Sequence, residues 1–439
     1  MAPAGIAVVG ASLGGLRAAE QLRAAGWRGA ITVYGDEPHL PYNRPPLSKE
    51  VLAGEAPAAV TTLRRRPSVD DVEWRLGTAV ASADLAARTL TLADGSVHGY
   101  EGLVAATGVR PRRLPLSGGP PRHVVRTLED SAALRTELAE GVRVLVVGAG
   151  FIGCEVAATA RKAGCEVTVV APEAEPMMLA VGEEPGRVLR RRHEARGVRF
   201  RMGRLVAGLT AGGAVLDDGS ECAADVVIEA IGSLPNVEWL GAGAVPGQGA
   251  GAGPGVGGLD LTDGILCDAH LRIGGLPYAV AVGDVARFPN PRYGALARRV
   301  EHWSMPSDCA RHAARVLVAG LGSGGGGGGR DGGGAGGGDG GGEHGLAPFA
   351  PLPSFWSDQF DVRVQSFGLP GAGDEVRLLA GEPDAGDGGG GGDVVYGYYR
   401  GDRLVGVVAL GGTRAAALAG GYRGELMALP DEVRKSPVL

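Results

Sequence analysis

Lysine is almost missing from this chain: positive charge is carried by arginine, and the only lysines are Lys49, Lys162 and Lys435. A lysine kept where arginine is the habit points to a chemical requirement, which singles out Lys49. Cysteine is sparse and unpaired. Cys154, Cys165, Cys222, Cys267 and Cys309 form no CxxC pair, which excludes a disulfide scaffold or dithiol centre and fits a reducing cytoplasm. Excess positive charge is also absent: the net charge is −6 and the pI about 5.8, so no global field draws the chain to nucleic acid or an anionic membrane. Long apolar runs are lacking too. The best, Val144 to Ala160, is too short to span a bilayer comfortably and is broken by Gly148, Gly150, Gly153 and Glu155. The first apolar segment, Ile6 to Val9, has no basic residues before it and runs straight into a glycine turn, so it reads as a strand rather than a signal peptide. The expectation is a cytoplasmic protein, monomer or homodimer.

Glycine is in excess, with 79 in 439 residues, but much of it lies in three tracts, Gly241 to Gly258, Gly322 to Gly342 and Gly388 to Gly392. Such tracts cannot bury enough apolar surface to offset their ordering entropy and read as flexible insertions. Between them the pattern is βαβ, with a strand at Ile6 to Val9, a helix near Leu16 to Ala25 and a strand at Ala30 to Tyr34. The unit repeats as strand Val142 to Val147, helix Phe151 to Ala163 and strand Glu166 to Val170, so two nucleotide-binding folds are expected. Beyond the second tract Val362, Val364 and Gln365 to Phe367 alternate. Val394 to Tyr399 and Leu404 to Leu410 then flank a Gly401-Asp402 turn, predicting a hairpin-rich C-terminal domain from about Leu346.

Each βαβ unit carries a glycine loop. The first is Gly10-Ala11-Ser12-Leu13-Gly14-Gly15, followed past its second strand by Asp36 and Glu37; the second is Gly148-Ala149-Gly150-Phe151-Ile152-Gly153. Glycines at these spacings allow a tight turn, close approach of backbone to a pyrophosphate and close packing of helix on strand, with the helix N-terminus facing the anion. Ser12 departs from the fingerprint, and its hydroxyl can compensate by donating to phosphate. After the second unit the sequence reads Ala171-Pro172-Glu173-Ala174-Glu175, without an arginine before Arg187. Negative charge there opposes a 2′-phosphate, so NADH is expected and NADPH disfavoured, the choice resting on Glu173 with Glu175 beside it.

The segment His39-Leu40-Pro41-Tyr42-Asn43-Arg44-Pro45-Pro46-Leu47-Ser48-Lys49-Glu50 carries a resemblance, together with Ala106-Thr107-Gly108, Arg126-Thr127-Leu128-Glu129, Gly148 to Glu155, Gly283-Asp284 and Glu301-His302-Trp303. Over roughly residues 5 to 412 the chain resembles the FAD-dependent NADH:ferredoxin reductases of bacterial Rieske oxygenase and cytochrome P450 systems. The apoptosis-inducing-factor flavoproteins share that architecture. The resemblance implies an α/β protein with two Rossmann-like, glutathione-reductase-like nucleotide-binding domains and an α+β C-terminal interface domain. Its layout would be residues 1–112 and 241–321 for FAD, 113–240 for NADH, 322–345 a glycine-rich linker and 346–439 the interface domain.

The resemblance further implies that Gly10, Ser12, Leu13, Gly14 and Gly15 hold the FAD pyrophosphate and Asp36 or Glu37 its ribose. Arg44, Lys49, Val80, Ala106, Thr107, Gly108 and Arg126 would line that cofactor. Gly283-Asp284 would meet the ribityl chain, and Glu301, His302, Trp303 and Trp356 would flank the flavin ring. Gly148, Gly150, Phe151, Ile152, Gly153 and Glu173 would serve NADH, and Gly232 is a further expected cofactor contact. Lys49 and Glu155 would meet beside the ring, one from each domain, as the catalytic pair; a domain-bridging ion pair is the plainer alternative. The implied acceptor is a [2Fe-2S] ferredoxin, with Arg64 to Arg66, Arg292, Arg298, Arg299 and Arg311 available for docking. Arg190 to Arg192 read as a solvated face. A disulfide reductase on this fold needs a cysteine near the flavin, yet none precedes Cys154. No metal site is expected. The other rival is an apoptosis-inducing-factor-like protein that senses NADH by binding rather than turnover.

Overall fold

A computed structural model describes residues 5–241, 258–323, 346–383 and 392–428. The first sheet is parallel, in the spatial order Ala279–Ala281, Gly102–Ala105, Ile6–Val9, Ile31–Tyr34 and Glu73–Arg75. Its central strand is apolar at every position and fully buried, as expected of a strand covered on both faces. The helix Leu13–Ala24 packs on the long helix Met305–Ser323, so chain from beyond residue 258 completes the first unit. Leu16 and Leu22 of the shorter helix are 0% exposed, each contributing about 2 kcal/mol of burial.

The second sheet repeats the design with Arg199–Met202, Glu166–Ala171, Arg143–Val147, Val226–Glu229 and Arg122–His123, again parallel. Its helix is Phe151–Lys162, so the apolar run from Val144 is strand, turn and helix; among the described residues no helix is long and apolar enough to cross a membrane. The two units are tied by the antiparallel pair Val109–Pro111 with Ser233–Pro235.

The third unit is an antiparallel sheet ordered Ser354–Gln359, Val362–Gly368, Arg403–Gly411, Val394–Arg400 and Glu375–Ala380. The hairpin turns at Gly401, whose φ of +57° a β-carbon would resist. Side-chain alternation decides what each face meets. Val394, Tyr396, Tyr398, Val408 and Leu410 pack against Phe151, Cys154, Met177 and Leu189 of the second unit, while Val395, Val407 and Ala409 pack against Ala415, Ala419 and Leu426 of the closing helices. The glycine tracts lie outside the described residues apart from their ends.

Candidate active site

In a parallel sheet every strand delivers its following loop to the same edge. Gly10, the turn Ala106–Gly108 and Gly283–Asp284 therefore meet at the carboxyl end of the first sheet. A β-carbon on Gly14 would stand 3.5 Å from Ala106 Cβ and 3.7 Å from Val282 Cγ1. Gly108, with φ +62°, lies under the Arg126 guanidinium, which would be 3.4 Å from its missing β-carbon. Gly283 also has a positive φ, +80°, and so aims Asp284 out of the strand.

Arg126 and Asp284 face one another across this edge. Both are partly buried, and neither side chain has a hydrogen bond or ion pair among the described residues. Burial raises Asp284 to about 6, against the pull of Arg126, and lowers Arg126 from its ordinary value. Two unpartnered charges above a glycine turn fit a ligand rich in hydroxyl and phosphate oxygens, as a flavin dinucleotide is.

Other expected residues are occupied with one another. Arg44 donates to Glu37 at 2.6 Å, to the Arg126 carbonyl at 2.6 Å and to Tyr42 Oη at 3.0 Å, while Tyr42 also bonds Glu37. Asp36 is the exposed acid past the strand, accepting the Glu37 amide at 3.0 Å. Thr107 Oγ1 donates to the Asn236 carbonyl at 2.7 Å and Asn236 returns a bond at 3.0 Å, a junction between the two parallel units. Glu301 accepts from Ser233 at 2.6 Å and from Arg299. Val80 packs on the core of the first sheet, and Gly232 accepts the Arg112 amide at 2.9 Å.

The second glycine loop, the segment Glu301-His302-Trp303 and the third unit come together through aromatic rings. Phe151, at the start of the second helix, meets Phe355 edge-on at 4.7 Å; Phe355 meets His302 at 4.9 Å; and Trp303 meets Trp356 at 5.1 Å while donating to Asn43 Oδ1 at 2.9 Å. Burial pushes His302 down to about 4, so its ring is neutral. Ile152 and Trp303 stay partly exposed, at 39% and 41%. Beside these rings Lys49 Nζ lies 2.6 Å from Glu155 Oε2 with side chains 13% and 5% exposed. Lys49 comes from the segment after the Arg44 turn and Glu155 from the second helix, so the pair spans the two nucleotide folds.

Residues 4–307 match the pyridine nucleotide-disulphide oxidoreductase family and residues 354–421 the reductase C-terminal family. The chain belongs to the pyridine nucleotide-disulphide oxidoreductase family. This oxidoreductase is 36% identical over 393 residues to the ferredoxin–NAD(+) reductase component of the anthranilate 1,2-dioxygenase system of Burkholderia cepacia, spanning 86% of the chain and 85% of that protein. It is 31% identical over 418 residues to the putidaredoxin reductase of Pseudomonas putida, spanning 92% and 87%. The solved covalent putidaredoxin reductase–putidaredoxin complex superposes with a TM-score of 0.81 at 29% identity, covering 100% of this chain and 98% of that one.

Several expectations need correction. Glu175 does not face a nucleotide: it is buried and paired with Arg190 at 3.1 Å and Arg187 at 3.7 Å, so the electrostatic case against a 2′-phosphate falls to Glu173. Arg192 is not on a solvated face but 8% exposed, donating to the Gly392 carbonyl at 2.6 Å. Arg292 cannot dock a partner, being 6% exposed and donating to the carbonyls of Ala350 at 2.8 Å and Met427 at 2.6 Å. Arg299 and Arg311 are paired with Asp263 and Asp308. All five cysteines are free and buried, and burial pushes the Cys309 thiol up to about 12, so none offers a thiolate.

Residues that sequence reasoning passed over also converge here. Ser48, Ser357, Gln359 and His193 gather at Glu155 and behind it. A signal existed, since Ser357 and Gln359 occupy alternate positions with Phe355 on a strand whose inward face would otherwise be apolar.

Proposed function

We propose that the chain is the reductase of a short electron-transfer system, taking hydride from NADH onto FAD and passing electrons singly to a [2Fe-2S] ferredoxin that feeds an oxygenase. The balance is one NADH and two oxidised ferredoxins to NAD+, one proton and two reduced ferredoxins. FAD supplies the conversion from a two-electron to a one-electron carrier; the protein supplies binding, orientation and exclusion of water. The buried Lys49–Glu155 pair carries the reading, because it joins the two nucleotide folds beside the aromatic cluster, and the neighbouring thiol, Cys154, is sealed in the core with burial pushing its ionisation up.

In this reading Gly10, Ser12, Leu13, Gly14 and Gly15 hold the FAD pyrophosphate, Asp36 the ribose with Glu37 behind it, and Val80, Ala106, Thr107, Gly108 and Arg126 the walls of the cleft. Asp284 takes the ribityl hydroxyls, and Glu301, His302, Trp303 and Trp356 border the ring. Gly148, Gly150, Phe151, Ile152, Gly153, Glu173 and Gly232 receive NADH. Lys49 and Glu155 align the nicotinamide. The residue span for FAD is 1–112 with 241–321, for NADH 113–240, and for the interface unit 346–439. Free, buried cysteines suit the cytoplasm. The sensing alternative is set aside because the relatives are named as reductase components.

The purified protein is expected to be yellow and to reduce cytochrome c with NADH only when a [2Fe-2S] ferredoxin is added. A colourless folded protein that takes up no FAD would overturn the assignment.

A further inference from the structure

Along the strand Ser354–Gln359 the side chains of Phe355, Ser357 and Gln359 point to one buried face, and Ser357 and Gln359 are 0% and 1% exposed. Polar groups so deeply placed must be partnered, and their partners form one continuous chain. His193 Nε2 lies 2.9 Å from Gln359 Oε1, Gln359 Nε2 reaches Ser357 Oγ at 3.1 Å and Met177 Sδ at 3.0 Å, and Ser357 Oγ reaches Glu155 Oε1 at 2.7 Å.

Chemistry sets the direction of every bond. A thioether only accepts, which turns the Gln359 amide nitrogen toward Met177 and its oxygen toward His193. Burial lowers His193 to about 4, so its ring is neutral with one N–H, and because the Gln359 oxygen can only accept, that hydrogen sits on Nε2. Ser357 accepts from Gln359 and spends its single O–H on Glu155. On the other carboxylate oxygen, Ser48 Oγ donates at 2.6 Å and the Lys49 ammonium forms an ion pair at 2.6 Å. The terminal torsion of a glutamate is broad and two-fold, so a carboxylate anchored on one oxygen alone would swing. Ser357 is the only donor to Oε1 among the described residues.

We propose that Ser357, oriented by Gln359 and His193, is a positioning residue for hydride transfer: it fixes the Glu155 carboxylate and through it the Lys49 ammonium. The C-terminal unit is then required for the NADH half of the reaction and not only for meeting the electron acceptor. This rests on the placement of the Lys49–Glu155 pair at the nicotinamide made under Proposed function.

The test uses the full-length, FAD-loaded protein and stopped-flow bleaching of its flavin over a range of NADH concentrations. Ser357→Ala is expected to lower the limiting rate about ten-fold with little change in the apparent Kd for NADH, and Ser357→Thr to restore it. The long-wavelength charge-transfer absorbance of the reduced protein with NAD+, which reports ring stacking rather than turnover, should weaken in Ser357→Ala and return in Ser357→Thr. Ser366→Ala is the control, because that hydroxyl is equally buried on the adjacent strand but bonded to nothing in this chain of contacts. A wild-type limiting rate and an unchanged absorbance band in Ser357→Ala would overturn the proposal. Glu155→Ala, measured in parallel, separates the two levels: a slow Glu155 variant beside a normal Ser357 variant removes only the positioning role, whereas a normal Glu155 variant removes the placement on which it rests.

Discussion

The turns at residues 10–15 and 148–153 are one backbone design with two different middles. A β-carbon on Gly10 would stand 2.2 Å from the Ala106 carbonyl oxygen, and one on Gly148 2.2 Å from that of Ala230. On Gly15 it would stand 1.9 Å from the Gly10 oxygen, and on Gly153 2.0 Å from the Gly148 oxygen. The outer glycines of both turns are thus demanded by the protein's own packing. At the centre, Ser12 sits in the first turn, while Gly150 in the second has nothing within 4 Å of where a β-carbon would be. Past the strands the contrast repeats, since Glu37 is locked by Arg44 and Tyr42 whereas the Glu173 side chain has no hydrogen bond among the described residues. The first turn is thus flanked by side chains already bonded to one another and the second by open space, which under the proposed assignment suits a cofactor that stays in the first and one that exchanges in the second.

The severest way to break the comparison is at the glycines both turns share. Gly15→Ala and Gly153→Ala should each cost about 3 kcal/mol, because the new carbon meets a backbone oxygen that cannot move aside. Calorimetry should show both losses, with FAD content falling only in the first variant. Equal FAD loss in both would deny that the turns serve different nucleotides. Next in size is the pair that joins the folds: Lys49→Ala and Glu155→Ala should slow flavin bleaching by NADH about 100-fold while FAD stays bound. Normal rates in both would leave only a domain-bridging ion pair.

The response to acid also separates the two folds, with opposite signs. In the second, His193 is held near 4 against an ordinary 6.5, so an unfolded chain takes up a proton that the folded one refuses. The stability present above 6.5 is lost as pH falls from there toward 4, on the order of 2 kcal/mol by pH 5. In the first, Asp284 is raised to about 6 from 3.8, and its contribution, full below 3.8, is lost as pH rises through 6. Thermal midpoints from pH 7 to 5 should fall less steeply in His193→Gln than in the parent chain; parallel curves would contradict the assignment. The smallest effects belong to the middles. Gly150→Ala should leave the melting temperature within a degree or so, yet raise the KM for NADH about ten-fold, whereas Ser12→Ala should alter FAD affinity only about three-fold. If Gly150→Ala left KM untouched, the open space there would not be a nucleotide's.

Much of this protein was legible before any fold was seen. The apolar run of Ile6 to Val9, the glycine spacings at 10–15 and 148–153 and the alternation through Val394 to Leu410 each belong to local geometry, where periods of 2 and 3.6 and a few positive φ values leave few choices. The rarity of lysine singled out Lys49, and its pairing with Glu155 was implied by the family resemblance that the motif around Arg44 to Lys49 carries. What the sequence could not decide is which charges meet. Arg292 and Arg298 look alike in a string, yet one is sealed under carbonyls, and Glu175 differs from Glu173 only in the arginines that the helix Glu183–Glu194 brings to it. The chain from His193 through Gln359 and Ser357 to Glu155 joins residues up to 202 positions apart. Hydrogen bonds reach about 3 Å whatever the separation along the chain, so such a contact exists only once the third unit has laid its inward face on the second.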